Sequence, residues 1–331
     1  MPKIIAAKNK ILAARKKIIA AKNKIIAARI SRPLQTHPKR PSSDDVFRDK
    51  CRTLSFVKSL LALDLDGTLL TTDKRLTERN LEAVSRAQDA GTTIILASGR
   101  HPRSMARFAD ALHLRERGGY LVAFNGAQLI DYTTGQLLFS QHLPAKAITR
   151  LVDWAHRYNL PILSFRGDSI ITEHPADHYV VENAANNRLA VEPVDDLAAA
   201  MLALPEPPAK CLLPGPPELL PEVEAAMRAD LRGVVDVYRS APHYLELVPL
   251  GVDKGSTIQR LISTLEHTRE ELIACGDQDN DISMIRLAGM GVAMSNAAAE
   301  VKAAADIVAP SCDDDGVAQI IERYLLTSLS E

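Results

Sequence analysis

The chain has 331 residues, 46% of them hydrophobic, and a formal net charge of -1, which suits two folded domains with an ordinary core and excludes a disordered or fibrous chain. No apolar run approaches the roughly 20 residues needed to span a bilayer, so no transmembrane segment is expected. The near-neutral total hides an asymmetry: residues 1–43 hold 12 of the 40 Lys and Arg and none of the 41 Asp and Glu, so a basic tail precedes an acidic body.

Within that tail, residues 3–16 (KIIAAKNKILAARK) recur at 17–30 as KIIAAKNKIIAARI, with an underlying seven-residue period. Ile4, Ile11, Ile18 and Ile25 fit heptad a positions, but the flanking Lys8 and Lys10 and their basic counterparts oppose self-pairing. The composition suits a basic helix on an acidic partner or a membrane surface, or a transit peptide that would direct the chain to an organelle. The reading favoured over these is a low-complexity extension, or a start placed too far upstream. Residues 31–58, with Pro33, Pro38 and Pro41, read as linker, so 1–57 form tail and linker.

From Leu60 onward, short apolar runs alternate with helical patterns. A strand ending at Asp64 is followed by a helix from about Thr77 to Ala90, a strand Thr93–Ala97, a helix Pro102–Leu112 and an apolar run Tyr120–Phe124. Residues 129–248 differ in texture, mixing hairpin-like pieces (Asp131–Phe139, Pro161–Ile171) with helices (Ala145–Tyr158, Leu219–Leu231), and read as an α+β insertion. Alternation resumes with a helix Lys254–Leu265, a strand Leu272–Cys275, a helix Asn280–Leu287, strands at Gly291–Met294 and Asp306–Val308, and a helix Gly316–Tyr324. Such repetition predicts an α/β fold with a doubly wound parallel sheet, built from 58–128 and 249–331, with 129–248 inserted as a lid. Its active site would lie at the carboxyl ends of the strands.

Polar motifs fall at those ends: Asp64-x-Asp66, Ser98-Gly99, Lys254-Gly255 and Gly276-Asp277-x-x-Asn280-Asp281. Asp64, Asp66 and Asp277 offer oxygen ligands for a hard cation, and Mg²⁺ suits few carboxylates and retained waters. Lys254 adds a point charge, and Ser98 with nearby amides adds neutral donors, which together describe a pocket for a phosphoryl group. Asp281 is either a metal ligand or a cap for the helix after it, Asn125-Gly126 either part of the site or a turn, and Arg100 either a substrate contact or a solvated loop residue. Four scattered cysteines (Cys51, Cys211, Cys275, Cys312) and nine histidines show no zinc spacing or disulfide framework, and a cytoplasmic location is expected. Trp154 lies in a helical apolar pattern of the insertion.

This ordered set resembles the haloacid dehalogenase (HAD) superfamily of phosphotransferases, whose signature is an apolar strand followed by D-x-D-G-T, a Ser or Thr ending the second strand, a Lys and a terminal acidic motif. The 31 residues between Asp66 and Ser98 leave no room for a lid, whereas Arg100 to Lys254 does. That placement is similar to the Cof-type (HAD-IIB) phosphatases with an α+β C2B cap on a Rossmannoid core. Phe124–Ala127, Gly276–Asp281 and Gly291–Met294 are similar to that subfamily's, and Ser240–Leu247 and Asp253–Gly255 look most like its bacterial sugar-phosphatase branch, the YidA-like proteins.

The resemblance implies Asp64 as a nucleophile forming an aspartyl-phosphate, and Asp66 as the residue that protonates the leaving alkoxide and later takes a proton from water. It implies Mg²⁺ held by the Asp64 and Asp277 carboxylates and the Asp66 carbonyl, with Asp281 behind them. Leu65 (through its amide), Ser98, Gly99, Lys254 and Asn280 would hold the phosphoryl oxygens, with Arg100 and Asn125 as further contacts. The expected activity is hydrolysis of small phosphorylated metabolites, chiefly sugar phosphates, with no nucleic-acid partner. A phosphosugar mutase and a non-catalytic phosphometabolite-binding protein are the alternatives. Substrate choice would rest with insertion residues such as Arg166, His178 and Lys210.

Overall fold

The computed structural model describes residues 59–326; the readings made for the basic tail and for Cys51 lie outside them. Two sheets organise the described residues. The larger is built around β1 (Leu60–Leu63), whose four side chains are all buried, as expected for a central strand covered on both faces. At about 25 cal/mol per Å² of apolar surface, each of its leucines contributes roughly 2 kcal/mol.

β1 pairs in parallel with β2 (Thr93–Ala97) on one side and with β12 (Leu272–Gly276) on the other. Beyond β2 lies β3 (Gly119–Ala123), and beyond β12 lie β13 (Met290–Met294) and β14 (Ile307–Ala309), all parallel. The strand order thus reverses at β1, which puts a crevice above its carboxyl end. Helices α1 (Glu78–Asp89), α2 (Pro102–Ala111) and the short α3 (Leu114–Arg117) link the first three strands. Thr77 caps α1 by accepting from the Asn80 amide, and Pro102 opens α2 where its missing N–H costs nothing.

The insertion begins later than expected. β4 (Gln128–Asp131) and β5 (Gln136–Ser140) form an antiparallel hairpin that extends the larger sheet at β3, so the hairpin expected in the insertion belongs to the core sheet. The physical reason is register: Val122 faces Leu129 and Leu121 faces Ile130 across the pair, and Leu129 completes the cluster under Val122 and Ile258.

The second sheet has the order β10-β11-β9-β6-β7-β8, drawn from β6 (Leu163–Arg166), β7 (Ser169–Thr172), β8 (Ala190–Pro193), β9 (Cys211–Pro214), β10 (Val235–Ala241) and β11 (Tyr244–Pro249). It is antiparallel apart from the β7–β8 pair. Helices α4 (Ala145–Arg157), α5 (His178–Asn187), α6 (Leu197–Leu202) and α7 (Leu220–Asp230) accompany it. α4, α6 and α7 share its core, in which Trp154 packs with Leu151, Leu220 and Val223. An α+β insertion is therefore present, with more strands than the sequence announced.

The chain returns to the larger sheet through α8 (Lys254–Thr264), where Asp253 and Ser256 form a reciprocal capping box. A single-turn 3₁₀ helix at Asp279–Asp281 precedes α9 (Ile282–Leu287), so the expected helix from Asn280 is broken at Asp281. α10 (Ala299–Ala304) and α11 (Gly316–Ile321) complete the layers, α11 running into a π turn at Glu322–Leu326. Among the described residues no helix is long and apolar enough to cross a membrane.

Candidate active site

The site forms because four chain segments end in one crevice. Asp64 extends β1 by one residue, its amide donating to the Cys275 carbonyl at 3.0 Å, so its carboxylate emerges where β1 and β12 end together. Asp277 follows β12 directly. Lys254 is the first residue of α8 and has no exposed surface. Its ammonium donates to Asp64 Oδ1 and Asp281 Oδ1, both at 2.6 Å, so one buried cation bridges two acids that lie 217 positions apart in numbering.

Asp281 does not cap α9. Its Oδ2 instead accepts from the Asp277 amide at 2.9 Å and the Gln278 amide at 3.0 Å, which pins the loop carrying Asp277. Asp277 in turn accepts from Thr68 Oγ1 at 3.0 Å and Gln278 Nε2 at 3.2 Å. Thr68 therefore orients an acid more than 200 residues away, a role that the D-x-D-G-T spelling alone does not disclose.

Asp64, Asp277 and Asp281 each place an oxygen within 4.8 Å of the other two, all three buried. Burial and the company of Asp281, Asp277 and Asp66 push the Asp64 carboxyl well up, with Lys254 opposing. Asp277 rises to about 6, through burial and then Asp281. Lys254 stays charged: although burial disfavours its ammonium, Asp281 and Asp64 hold its pKa above the usual lysine range. Three acids against one ammonium leave the cluster short of positive charge. An all-oxygen donor set of this kind fits a hard divalent cation.

Asp66 is handled differently. Arg100 grips its carboxylate through both oxygens, Nε to Oδ2 at 2.6 Å and Nη2 to Oδ1 at 2.7 Å, and Lys74 adds a 2.8 Å contact. Burial alone would raise the Asp66 pKa, but these cations together hold it far below the carboxylate range. Its carboxylate is thus committed to the two cations and stands outside the cluster of Asp64, Asp277 and Asp281. Lys74 was not foreseen; it comes from a tight turn at Thr71–Arg75, with φ of 64°, that nothing in its spacing ties to the motifs.

The remaining expected residues sit around the crevice. Ser98 is 2% exposed; its amide donates to Val122 and its hydroxyl accepts from the Arg100 amide at 3.3 Å. Gly99 offers its carbonyl to Lys210 Nζ at 3.1 Å. Leu65 is buried between the two acids, its carbonyl accepting from the Thr68 and Leu70 amides. Asn280 Nδ2 donates to Asn125 Oδ1 at 2.8 Å, and Asn125 Nδ2 donates to the Tyr238 hydroxyl at 2.6 Å, so Asn125 ties the acidic loop to β10.

Above these groups lies a cavity of about 580 Å³. The larger sheet supplies its floor with Asp64, Asp66, Ser98, Gly99, Arg100 and Asn280, and the inserted segment supplies its roof with Phe165, Asn183, Arg188, Lys210, Tyr244 and Glu246 among others. Of the three insertion residues singled out from sequence, only Lys210 reaches it, buried and paired with Glu246 at 2.5 Å. Arg166 pairs with Glu192 and lines another cavity, and His178 stacks on Tyr179. Neither residue had a sequence signal for its direction. His101 accepts from the Arg103 amide through Nδ1 and contacts the Gly167 carbonyl through Nε2, which fastens the start of α2 to the inserted sheet.

Comparison with known proteins gives a consistent result. The profile of the haloacid dehalogenase-like hydrolases matches residues 61–321. The putative phosphatase YxeH of Bacillus subtilis is 31% identical, over 81% of this chain and 98% of its own. From the same organism, 5-amino-6-(5-phospho-D-ribitylamino)uracil phosphatase YitU is also 31% identical, over 80% of this chain and 97% of its own. A haloacid dehalogenase-like hydrolase from Bacteroides thetaiotaomicron superposes with a TM-score of 0.75 at 39% identity, covering 81% of this chain and 99% of that one.

Proposed function

Because the chain belongs to the haloacid dehalogenase-like hydrolase family and is a phosphatase of small phosphorylated metabolites, we propose that its reaction runs through Asp64, with Mg²⁺ in the acid cluster and a sugar phosphate as substrate. The observation that carries this reading is the buried Asp64–Lys254–Asp281 bridge beside Asp277: a carboxylate fixed at the floor of a cavity, next to one permanent cation and a place for another.

Asp64, Asp277 and the Asp66 carbonyl would hold Mg²⁺, with Asp281 fixing the Asp277 loop from behind. The bound ion supplies the positive charge that lets a phosphate dianion approach two carboxylates, each such pair costing about 1 kcal/mol at 4 Å even in water and more in a dry site. Asp64 Oδ attacks phosphorus in line; the bond from phosphorus to the leaving alcohol oxygen breaks, and Asp66 delivers a proton to that oxygen. Water then attacks the phosphorus of the aspartyl-phosphate, Asp66 takes the water's proton, and Asp64 is released. Ser98, the Gly99 and Leu65 amides, Lys254 and Asn280 hold the phosphoryl oxygens.

As gripped by Arg100 and Lys74, Asp66 is a base and not an acid. To deliver a proton it must first lose part of that grip, and an arriving phosphoryl dianion competes for the same guanidinium. Support for a sugar comes from the roof: Asn183, Asn186 and Asn187 line the cavity, as suits a leaving group rich in hydroxyls. Asp64→Asn should lower phosphate release from a panel of sugar phosphates by roughly 10⁴-fold or more while the melting temperature holds, and EDTA should abolish release until Mg²⁺ is restored. Turnover that survives either treatment would overturn the mechanism.

A further inference from the structure

Most charged side chains around the cavity have an ion-pair partner: Asp64 has Lys254, Asp66 has Arg100 and Lys74, and Glu246 has Lys210. Two cations lining the same space do not. Arg107, on α2, has its Nε buried with no hydrogen-bond partner, and neither it nor Arg188 has an ion pair among the described residues. The Arg107 guanidinium lies over the Phe108 ring at 4.3 Å, which fixes its plane and leaves its edge free. Arg188 closes α5 with φ of 54°, a left-handed position that glycine or asparagine fills most easily. Here the position presents a guanidinium to the cavity instead.

α2 and α5 touch across the seam between the two sheets' domains, so the two arginines approach from opposite walls. The Arg107 pKa is lowered by burial first and then by Arg100 and Arg188, with Asp66 opposing, which places both of those guanidinium groups within electrostatic reach of Arg107. Glu182 on the same wall, which has no ion pair among the described residues, acts on Tyr244, whose hydroxyl burial and that charge raise to about 12. Like charges facing across a seam oppose its closure unless an anion lies between them.

We propose that Arg107 and Arg188 form a second anion site, and that the preferred substrate is a phosphate monoester whose leaving alcohol carries a further negative group, a second phosphate or a carboxylate. Arg100 precedes α2 and Arg107 lies within it, and the Phe108 ring ties them together, 5.7 Å from the Arg100 guanidinium carbon and 4.3 Å from that of Arg107, so the second site adjoins the floor where Arg100 holds Asp66. The proposal rests on the phosphatase reading for which phosphate is transferred, and goes beyond it in naming what the leaving group carries.

Binding and turnover are measured separately on the full chain with Mg²⁺ present. In an Asp64→Asn background, calorimetry should show glucose 1,6-bisphosphate or 6-phosphogluconate binding at least tenfold tighter than glucose 6-phosphate, and whichever of the two is tighter identifies the second anion. Adding Arg107→Gln with Arg188→Gln should erase that preference, while Arg107→Lys, which keeps the charge, should retain most of it. With active protein the same preference should appear mainly in KM. Equal binding of singly and doubly anionic ligands, or a preference that survives the double substitution in a protein of unchanged melting temperature, overturns the second site. Preferential binding without phosphate release from any ligand would instead overturn the catalytic reading and leave the anion site standing.

Discussion

Gly67 shows how tightly single residues are constrained here. With φ of 83° it occupies the left-handed region, and a Cβ added to it would stand 2.3 Å from Asp277 Oδ2. Asp277 cannot swing away without losing Thr68 and Gln278. Gly67→Ala should therefore weaken the apparent Mg²⁺ affinity by about 10- to 100-fold, read from the metal dependence of phosphate release, as for other disturbed supports of metal ligands. An unchanged Mg²⁺ dependence would separate Asp277 from the metal. At this scale the sequence was informative where a motif follows a strand or opens a helix: Asp64, Ser98 and Asp277 at strand ends, Lys254 at the start of α8 and Asn280 in the turn before α9 all gather at one crevice. It was silent where a side chain's direction depends on tertiary packing, as for Lys74, the Thr68–Asp277 bond and Arg107, because no local periodicity records which loop or cavity a side chain will meet.

At the scale of elements, the site depends on how closely α8 approaches α9. Gly255, next to Lys254, leaves no room for a side chain: a Cβ would lie 2.5 Å from the Ser283 carbonyl carbon and oxygen. Gly255→Ala must push the two helices apart, costing about 1–3 kcal/mol as overpacking does, and must carry Lys254 away from Asp64 and Asp281. The expected result is a lowered melting temperature together with a loss of turnover larger than that of a surface substitution of equal stability cost. Full activity would mean that Lys254 does not need its present seat. Elements were legible where the apolar period was clean, as in β1, β2, α4 and α8. β10 and β11 were not assigned because Glu246, buried by its pairing with Lys210, interrupts an otherwise apolar strand. The β4–β5 hairpin was misplaced because hairpins look alike whichever sheet they extend.

For the molecule as a whole, the acidic body meets its sharpest electrostatic cost at the three-acid cluster, and this couples folding, metal and pH. Asp277, at about 6, sits above its ordinary value of 3.8, so the folded chain holds a proton there that the unfolded chain has released. Its contribution to stability is full below the unfolded value and is lost as pH rises through about 6; the raised pKa of buried Asp64 acts in the same sense. A divalent cation must displace those protons, so binding weakens by up to about tenfold per pH unit for each proton released once pH falls below about 6. Mg²⁺ should then raise the melting temperature clearly near about pH 7.5 and by little near about pH 5, whereas the metal-free protein should lose stability from these groups over the same rise in pH. Asp281→Asn removes one of the charges that raise Asp277 and should shift the midpoint of the Mg²⁺ effect to lower pH. A Mg²⁺-induced shift of equal size at both pH values would mean that the cation binds elsewhere than between Asp64 and Asp277.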